Sequence, residues 1–210
     1  MRQSFHEELD CLHRSVLKMG CLVEEAVKEA VLSIGDPDPN LVEKVILGDD
    51  KIDQIYEDVE TNCFMILAKQ QPVARDLRLI ASSLRVISDL ERMGDLAINI
   101  VKASPGASGG EPLVASDILI RMGRAASVMI ENALQAYTKG DVQIAKVVKE
   151  QDEKIDDMYL ELFERLFDCA GGHELRSAVK SAFVGRYLER IADHCVTIAE
   201  RVDFMVLGSA

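Results

Sequence analysis

Residues Asp49–Asp53, with the sequence DDKID, decide the fold because the chain contains this segment twice. The related segment Asp152–Asp156 reads DEKID and begins 103 residues later. At the same spacing, Met19–Gly20 recurs as Met122–Gly123. Tyr56 and Phe64 recur at the same spacing, as Tyr159 and Phe167. Leu90–Arg92 recurs 98 residues later, as Leu188–Arg190. Such self-similarity predicts two copies of one structural unit.

Each copy divides into three segments with helical periodicity. Apolar residues in the first segment alternate in steps of three and four, which is typical of a helix packed in a bundle. The prolines around Asp36–Asn40 end this helix, because proline cannot continue one. A second helix is predicted from about Leu41 to Lys69, and Pro72 separates it from a third that runs from Pro72 or Val73 to about Ala103. No segment alternates as a strand does, so we predict an all-α protein.

The two copies meet at a segment rich in glycine, serine and proline, which is typical of a linker. We therefore predict two tandem three-helix bundles: residues 1–103, a linker over 104–112, and residues 113–210. The five cysteines form no C-x-x-C pair. Their spacing predicts reduced thiols in small core positions rather than disulfides or a zinc site.

The charge of the chain limits its partners. With 36 acidic against 24 basic residues, the formal net charge is -12. That excess argues against nucleic acid, whose phosphates need a basic face, and favours cations or a basic protein surface. The N-terminus lacks the apolar stretch of a signal peptide, and no apolar run is long enough to span a bilayer. We expect a cytoplasmic protein.

Acidic residues occupy positions where apolar core residues are expected. The stripe of the second helix contains Asp49, and the matching stripe contains Asp152. The stripes of the third helices contain Glu91 and Glu189 in the same way. The two stripes of the first copy are Val42, Val45, Asp49, Ile52, Tyr56, Val59, Cys63, Ile66 and Leu77, Ile80, Leu84, Ile87, Glu91, Gly94, Ile98, Val101. A buried carboxylate is costly unless a cation or hydrogen-bond donors accompany it.

Every one of these acids has a second acid one helical turn later. The four followers are Asp53, Asp95, Asp156 and Asp193. Residues four apart share a helix face, so adjacent helices would bring four carboxylates together in each copy. Oxygen ligands of this kind suit Mg, Mn, Fe or Ca. The alternative is a salt-bridged face, for which the available cations are Lys51, Lys154, Arg92 and Arg190.

A further row, Arg78, Arg85 and Arg92, repeats every seven residues. The simpler interpretation is a solvated, salt-bridged face, and a phosphate- or partner-binding row is the alternative. His194 adjoins Asp193, although neighbouring residues on a helix point in different directions. We find no Gly-rich phosphate loop and no nucleophile motif, so no catalytic residue is predicted.

The segment Asp89–Ile100 resembles the signature of the PhoU family, and Leu188–Glu200 resembles it a second time. Gln71–Arg78 and Phe5–Leu9, followed by Met19–Gly20, are similar to other segments of that family. The resemblance covers both repeats.

This resemblance implies two three-helix bundles and multinuclear sites for iron, manganese or magnesium. It assigns the metal positions to Asp49, Asp53, Glu91 and Asp95 in one bundle and to Asp152, Asp156, Glu189 and Asp193 in the other. It also implies partners, the phosphate ABC transporter and a PhoR-type sensor kinase, through which the protein would be peripheral to the membrane. A homo-oligomer stays open.

The predicted function is therefore regulation of phosphate uptake and signalling by a metal-binding adaptor that is not an enzyme. A helical-bundle metalloenzyme or metal store with carboxylate-bridged ions is the alternative. Such an enzyme would be expected to carry Glu-x-x-His on two helices, and the nearest match is Asp10-x-x-His13. A plain structural scaffold is the third possibility.

Overall fold

The computed structural model describes residues 2–36, 38–108, 111–169 and 174–208. Within those ranges the regular structure is helical, without a strand, as predicted. The helices are α1 (Arg2–Gly35), α2 (Pro39–Gln70), α3 (Ala74–Ala103), α4 (Pro105–Ser108), α5 (Ser116–Lys139), α6 (Val142–Cys169) and α7 (Leu175–Leu207). None of these helices has the length and apolar character needed to cross a membrane.

The helix ends follow from turn-forming residues. Asp38 caps α2, because its side chain accepts a hydrogen bond from the backbone N–H of Asn40 at 2.9 Å. Pro39 occupies the first turn, where its missing N–H costs nothing. At the other end, Gln71 adopts a left-handed φ of 46° and its N–H bonds the carbonyl of Leu67. The Gln71 cap ends α2 and turns the chain, so that α2 and α3 run side by side.

The predicted linker 104–112 contains one helical turn, α4, and its first residues are buried. Ser104 is fully buried and donates its hydroxyl to the carbonyl of Val101 at 2.7 Å. Gly109 and Gly110 lie outside the described residues. The beginning of this segment is therefore packed against the first repeat rather than extended through solvent. The domain limits themselves stay a prediction.

The six long helices form two layers. In the first layer α2, α3, α7 and α6 lie side by side in that order. In the second layer α1 covers α2 and α3, α5 covers α7 and α6, and α1 and α5 touch. Each repeat is thus a three-helix bundle, and a single continuous core joins the two.

The two bundles meet along α3 and α7, which are antiparallel. The Arg78 Nε–H donates to the carbonyl of Met205 at 3.4 Å, and the Ser82 hydroxyl donates to the carbonyl of Arg201 at 3.3 Å. A third contact pairs Asp89 Oδ1 with His194 Nδ1 at 2.9 Å. In all three pairs the two residue numbers add to 283. This contact, which we call the α3–α7 seam, therefore keeps one register over at least three turns of helix.

The second contact between the repeats, between α1 and α5, depends on two glycines. A Cβ atom at Gly20 would lie 2.3 Å from Leu134, and one at Gly123 would lie 2.3 Å from Val31. Gly20 and Gly123 are equivalent in the repeat, as are Val31 and Leu134. A side chain at either position would require the facing Leu134 or Val31 to move, because the two helices approach closely there.

The core agrees with the predicted stripes and buried thiols except at four residues. Leu77, assigned to a stripe, and its equivalent Leu175, 98 residues later, are 43% and 56% exposed, because they lie at helix ends beyond the packed region. Cys11 and Cys21 are exposed rather than in the core, since α1 turns that face to solvent, whereas Cys63 and Cys195 are buried.

Candidate functional site

The first carboxylate group lies where α2 packs on α3. Asp49 and Asp53 come from α2, and Glu91 and Asp95 come from α3; we call these four residues cluster 1. A Cβ atom placed on Gly94 would lie 3.1 Å from Asp49 Oδ1. The Asp49 carboxylate therefore lies against the backbone of α3 between Glu91 and Asp95.

Burial and mutual repulsion perturb the acids of cluster 1. Burial raises the pKa of Asp49 to about 6. The negative charges of Asp53, Asp95 and Glu91 also contribute to this raised pKa. Burial raises the pKa of Glu91 as well, and the adjacent Arg92 guanidinium opposes that rise. Carboxylates that repel one another across two helices form a region of strong negative potential.

Arg92 is the cation nearest to cluster 1. Its guanidinium lies 3.3 Å from Glu91 and 3.2 Å from Asp95. The side chain is 58% exposed, so this ion pairing is screened by solvent and contributes little to stability. Part of cluster 1 therefore has a counter-charge, while Asp49 has none among the described residues.

The second carboxylate group lies between α6 and α7. Asp152 and Asp156 come from α6, and Glu189 and Asp193 come from α7; these four form cluster 2. Burial raises the pKa of Asp152 to about 6, with added repulsion from Asp156 and Asp193. Burial also raises the pKa of Glu189, next to Asp193, while Arg186 opposes the rise. The electrostatic pattern of cluster 1 is thus repeated.

Glu189 has one satisfied and one unsatisfied oxygen. Arg186, one turn earlier on α7, donates to Glu189 Oε1. Glu189 Oε2 is buried and has no hydrogen-bond partner among the described residues. A buried acceptor without a donor is costly, which makes this atom a candidate ligand.

Both clusters fit a hard cation in their chemistry. All eight donors are carboxylate oxygens, which Mg²⁺, Mn²⁺ and iron accept. Within the described parts of the chain, however, no three His, Cys, Asp or Glu side chains already surround one point closely enough to hold a metal ion. Binding would need the exposed carboxylates to rotate toward Asp49 and Asp152. The metal assignment of the eight residues therefore stays a prediction.

The clusters open on the same side of the molecule. Helix α1 of the second layer covers one side of the α2–α3 groove. Helix α5 covers the α6–α7 groove in the same way. The acids of both clusters retain partial solvent exposure, so they face away from that layer. The exposed surface of the four-helix layer therefore carries one acidic group on each side of the α3–α7 seam.

Two interactions at this surface were not predicted from the sequence. Arg186, rather than the predicted Arg190, pairs with Glu189. Its position three residues before Glu189 is a signal that could have identified it. His194 contacts Asp89 across the seam instead of the neighbouring Asp193. Only knowledge of how the two bundles pack could have shown that contact.

In a comparison with known proteins, both repeats match the same family domain. The chain matches the PhoU domain over residues 16–104 and again over 119–202. A protein of Caulobacter vibrioides, called phosphate-specific transport system accessory protein PhoU homolog, is 34% identical over 209 residues, which cover 98% of this chain and 91% of that protein. A protein of the same name from Clostridium acetobutylicum is 30% identical over 210 residues, which cover 99% and 96%.

Solved structures extend the similarity to the fold. The crystal structure of PhoU from Pseudomonas aeruginosa superimposes with a TM-score of 0.91 at 32% identity, covering 98% of this chain and 100% of that one. PhoU from Streptococcus pneumoniae, described as a phosphate transport system regulatory protein, gives 0.89 at 30% identity, with 98% of both chains covered. Since the duplicated domain, the full-length relatives and the fold agree, the chain belongs to the PhoU family.

Proposed function

We propose that this protein is a regulator of phosphate uptake and signalling that works as a metal-binding adaptor. It represses the phosphate-starvation response through the phosphate ABC transporter and its sensor kinase, and it does so in the cytoplasm without catalysing a reaction. The observation that carries the proposal is the duplicated pair of carboxylate clusters on one face of a family member. Relatives named as accessory proteins of phosphate transport support the partner class.

The clusters would act as structural cation sites. Asp49, with Asp53, Glu91 and Asp95, would hold one site, and the four acids of cluster 2 would hold the other. A bound cation would supply the positive charge that offsets repulsion between the carboxylates. The residues of this chain would then join α2 to α3, and α6 to α7, and stiffen the surface offered to partners.

Metal content tests the two sites separately. The variant Glu91→Ala/Asp95→Ala should lose metal at cluster 1 and keep it at cluster 2, because the clusters lie on different helix pairs. Glu189→Ala/Asp193→Ala should do the converse. Elemental analysis after reloading with iron, manganese or magnesium measures both. As a control, Glu43→Ala/Glu57→Ala removes two exposed acids of α2 outside the cluster and should leave the metal content unchanged. Equal metal content in all four proteins would refute the assignment.

Regulation is tested in cells. A clean deletion strain should express phosphate-starvation genes when phosphate is plentiful, and the wild-type gene should restore repression. Reporter expression in high phosphate, in a strain without a second copy of the gene family, measures this. Normal repression in the deletion strain would contradict the regulatory role and leave the metal assignment to its own test.

A further inference from the structure

The α3–α7 seam carries four arginines, which we call the seam arginines. Arg85 and Arg92 of α3 and Arg190 of α7 are exposed, and Arg201 of α7 is half-buried. Arg85 and Arg92 follow Arg78 at intervals of seven residues, and Arg78 contacts α7. They therefore share the edge of α3 that borders α7.

The two arginines of α7 border α3 in the same way. The backbone carbonyl of Arg201 accepts a hydrogen bond from Ser82 of α3. Arg190 lies one helical turn before His194, which contacts Asp89 of α3. Both therefore lie on the side of α7 that faces α3.

The register of the seam brings these arginines into one row. Because paired residue numbers add to 283, Arg201 lies level with Ser82 and Arg190 lies level with Met93. Arg85 and Arg92 fall between these levels. At a rise of about 1.5 Å per residue, the row is about 17 Å long and its members come from both helices.

Most of the seam arginines lack a counter-charge. Arg85 and Arg190 are exposed, and within the described residues neither forms an ion pair. Arg201 Nε is buried and has no hydrogen-bond partner there. The Arg92 guanidinium forms ion pairs with Glu91 and Asp95 of cluster 1. Arg85 and Arg190 are therefore exposed, unpaired positive charges on either side of the Asp89–His194 contact. Two such charges on one face of a chain with a net charge of -12 indicate a surface for anionic groups.

The acidic clusters beside the row of arginines limit the width of a partner that can bind there. Packed helices lie about 8–10 Å apart, and the α2–α3 and α6–α7 grooves that hold clusters 1 and 2 run on either side of the seam. Arg92 reaches from the seam to Glu91 and Asp95 of cluster 1. A single helix, about 10–12 Å across, can lie on the seam without covering the acidic clusters. A flat anionic membrane, or a nucleic-acid duplex with its two phosphate chains, would meet both acidic clusters and be repelled.

An aromatic patch continues the seam beyond Arg190. Phe183 lies seven residues before Arg190 on α7 and is 55% exposed. Its ring stacks on Tyr187 with the centroids 6.3 Å apart. Exposed aromatic side chains beside arginines are the residue types that dominate binding energy in protein interfaces.

We propose that the α3–α7 seam is a docking site for an acidic amphipathic helix of a partner protein. Carboxylates spaced seven residues apart on that helix would meet the seam arginines, and apolar residues beyond them would cover Phe183. This proposal deepens the adaptor role, on which it rests, by naming the chemistry of the partner segment. It does not depend on metal at either cluster.

A designed peptide tests the seam directly. The probe is a labelled synthetic helix of about 20 residues with glutamates at seven-residue intervals and leucines at one end; its control carries glutamines instead. Fluorescence anisotropy is measured with the full-length protein in chelator, so that metal does not bridge the acids. We expect the glutamate peptide to bind at least tenfold more tightly than the control, and less tightly as salt rises.

Variants assign the binding to the seam. Arg85→Glu/Arg190→Glu should weaken binding of the glutamate peptide at least tenfold, and the milder Arg85→Ala/Arg190→Ala should weaken it several-fold. Arg124→Glu/Arg165→Glu makes the same charge change at exposed positions of α5 and α6 and should leave binding within about twofold. Circular dichroism verifies that each variant is folded.

Several results would overturn the proposal. These are no binding of the glutamate peptide, equal binding of both peptides, or binding that survives the arginine changes. Seam-dependent binding of phosphatidylglycerol vesicles without peptide binding would assign the row to a membrane instead. A protein dimer in sedimentation that Arg85→Glu/Arg190→Glu dissolves would assign it to a second copy. None of these results would affect repression in the deletion strain or the metal content, so failure here is distinguishable from failure of the regulatory role.

Discussion

Asp49 and Asp152 are the acids whose burial and mutual repulsion most destabilise the folded protein when no cation is bound. Both are half-buried, both carry a pKa raised to about 6, and each faces acids from its own helix and from the next. In the unfolded chain their pKa is that of an ordinary aspartate, near 4. Between these values the folded protein binds more protons than the unfolded chain does.

This difference predicts an unusual pH dependence of the metal-free protein. A raised folded-state pKa means that the contribution of Asp49 and Asp152 to stability decreases as the pH rises from about 4 through about 6. Asp49→Asn/Asp152→Asn should therefore stabilise the metal-free protein at pH 7 and flatten its stability between pH 5 and pH 7. Urea unfolding in chelator at several pH values measures this. An unchanged slope in the variant would contradict it.

At the scale of single residues, the acids of both clusters and the counter-charge Arg92 could be found from the sequence, whereas Arg186 was missed. Matched positions in two diverged copies identified Glu91 and Glu189, because helical spacing is regular. The spacing of three residues between Arg186 and Glu189 could have identified that pair. The contact between Asp89 and His194 depends on the packing of two repeats, which no local pattern contains.

At the scale of helices, the glycines of α1 and α5 set how closely the second layer packs. Gly123 approaches Val31, whose β-branched side chain has little freedom to move, whereas Gly20 approaches the flexible end of Leu134. Gly48 of α2 has no atom within 4 Å of an added Cβ. These three positions differ in packing but not in helical conformation, so they form a matched series.

We expect Gly123→Ala to destabilise the protein by about 1–2 kcal/mol, because overpacking outweighs the gain in helix propensity. Gly20→Ala should cost less, and Gly48→Ala should stabilise by about 0.5–1 kcal/mol. Val31→Ala should reduce the cost of Gly123→Ala when the two are combined. Urea midpoints of the wild type, the three glycine variants, Val31→Ala and the double variant measure these changes. A stabilising Gly123→Ala would show that α1 and α5 do not touch as described.

Helix limits were predictable to within about two residues, since proline and capping residues mark them in the sequence. The α2 helix was predicted over 41–69 and is Pro39–Gln70. The helical turn of α4 was not predicted, because Ser104 and Pro105 are favoured in linkers and only their burial against the first repeat explains their conformation.

At the scale of the whole molecule, the two repeats share a core rather than two separate ones. The α3–α7 seam and the α1–α5 contact both bury apolar residues of each repeat. Tandem bundles joined by a linker were the expectation from the sequence. Periodicity shows which face of a helix is buried, but it does not show whether the partner helix belongs to the same repeat.

A shared core predicts cooperative unfolding. In chelator, calorimetry should give one transition with calorimetric and van't Hoff enthalpies that agree, because neither bundle keeps its core without the other. Gly123→Ala should move this single transition to lower temperature. Two resolved transitions would contradict the shared core, and Gly48→Ala, which should move the transition upward, serves as the control.

The register of the α3–α7 seam has a consequence for ancestry. Each residue of α7 has an equivalent in α3, 98 positions earlier. In these equivalent positions the seam is reciprocal: if residue i of α3 contacts the equivalent of residue j, then residue j contacts the equivalent of residue i. The α1–α5 contact has the same property, since Gly20 meets Leu134 as Gly123 meets Val31. Reciprocal contacts of this kind are those of a two-fold symmetric homodimer. The interface inside this chain is therefore what gene fusion of a self-associating half-length ancestor would leave behind.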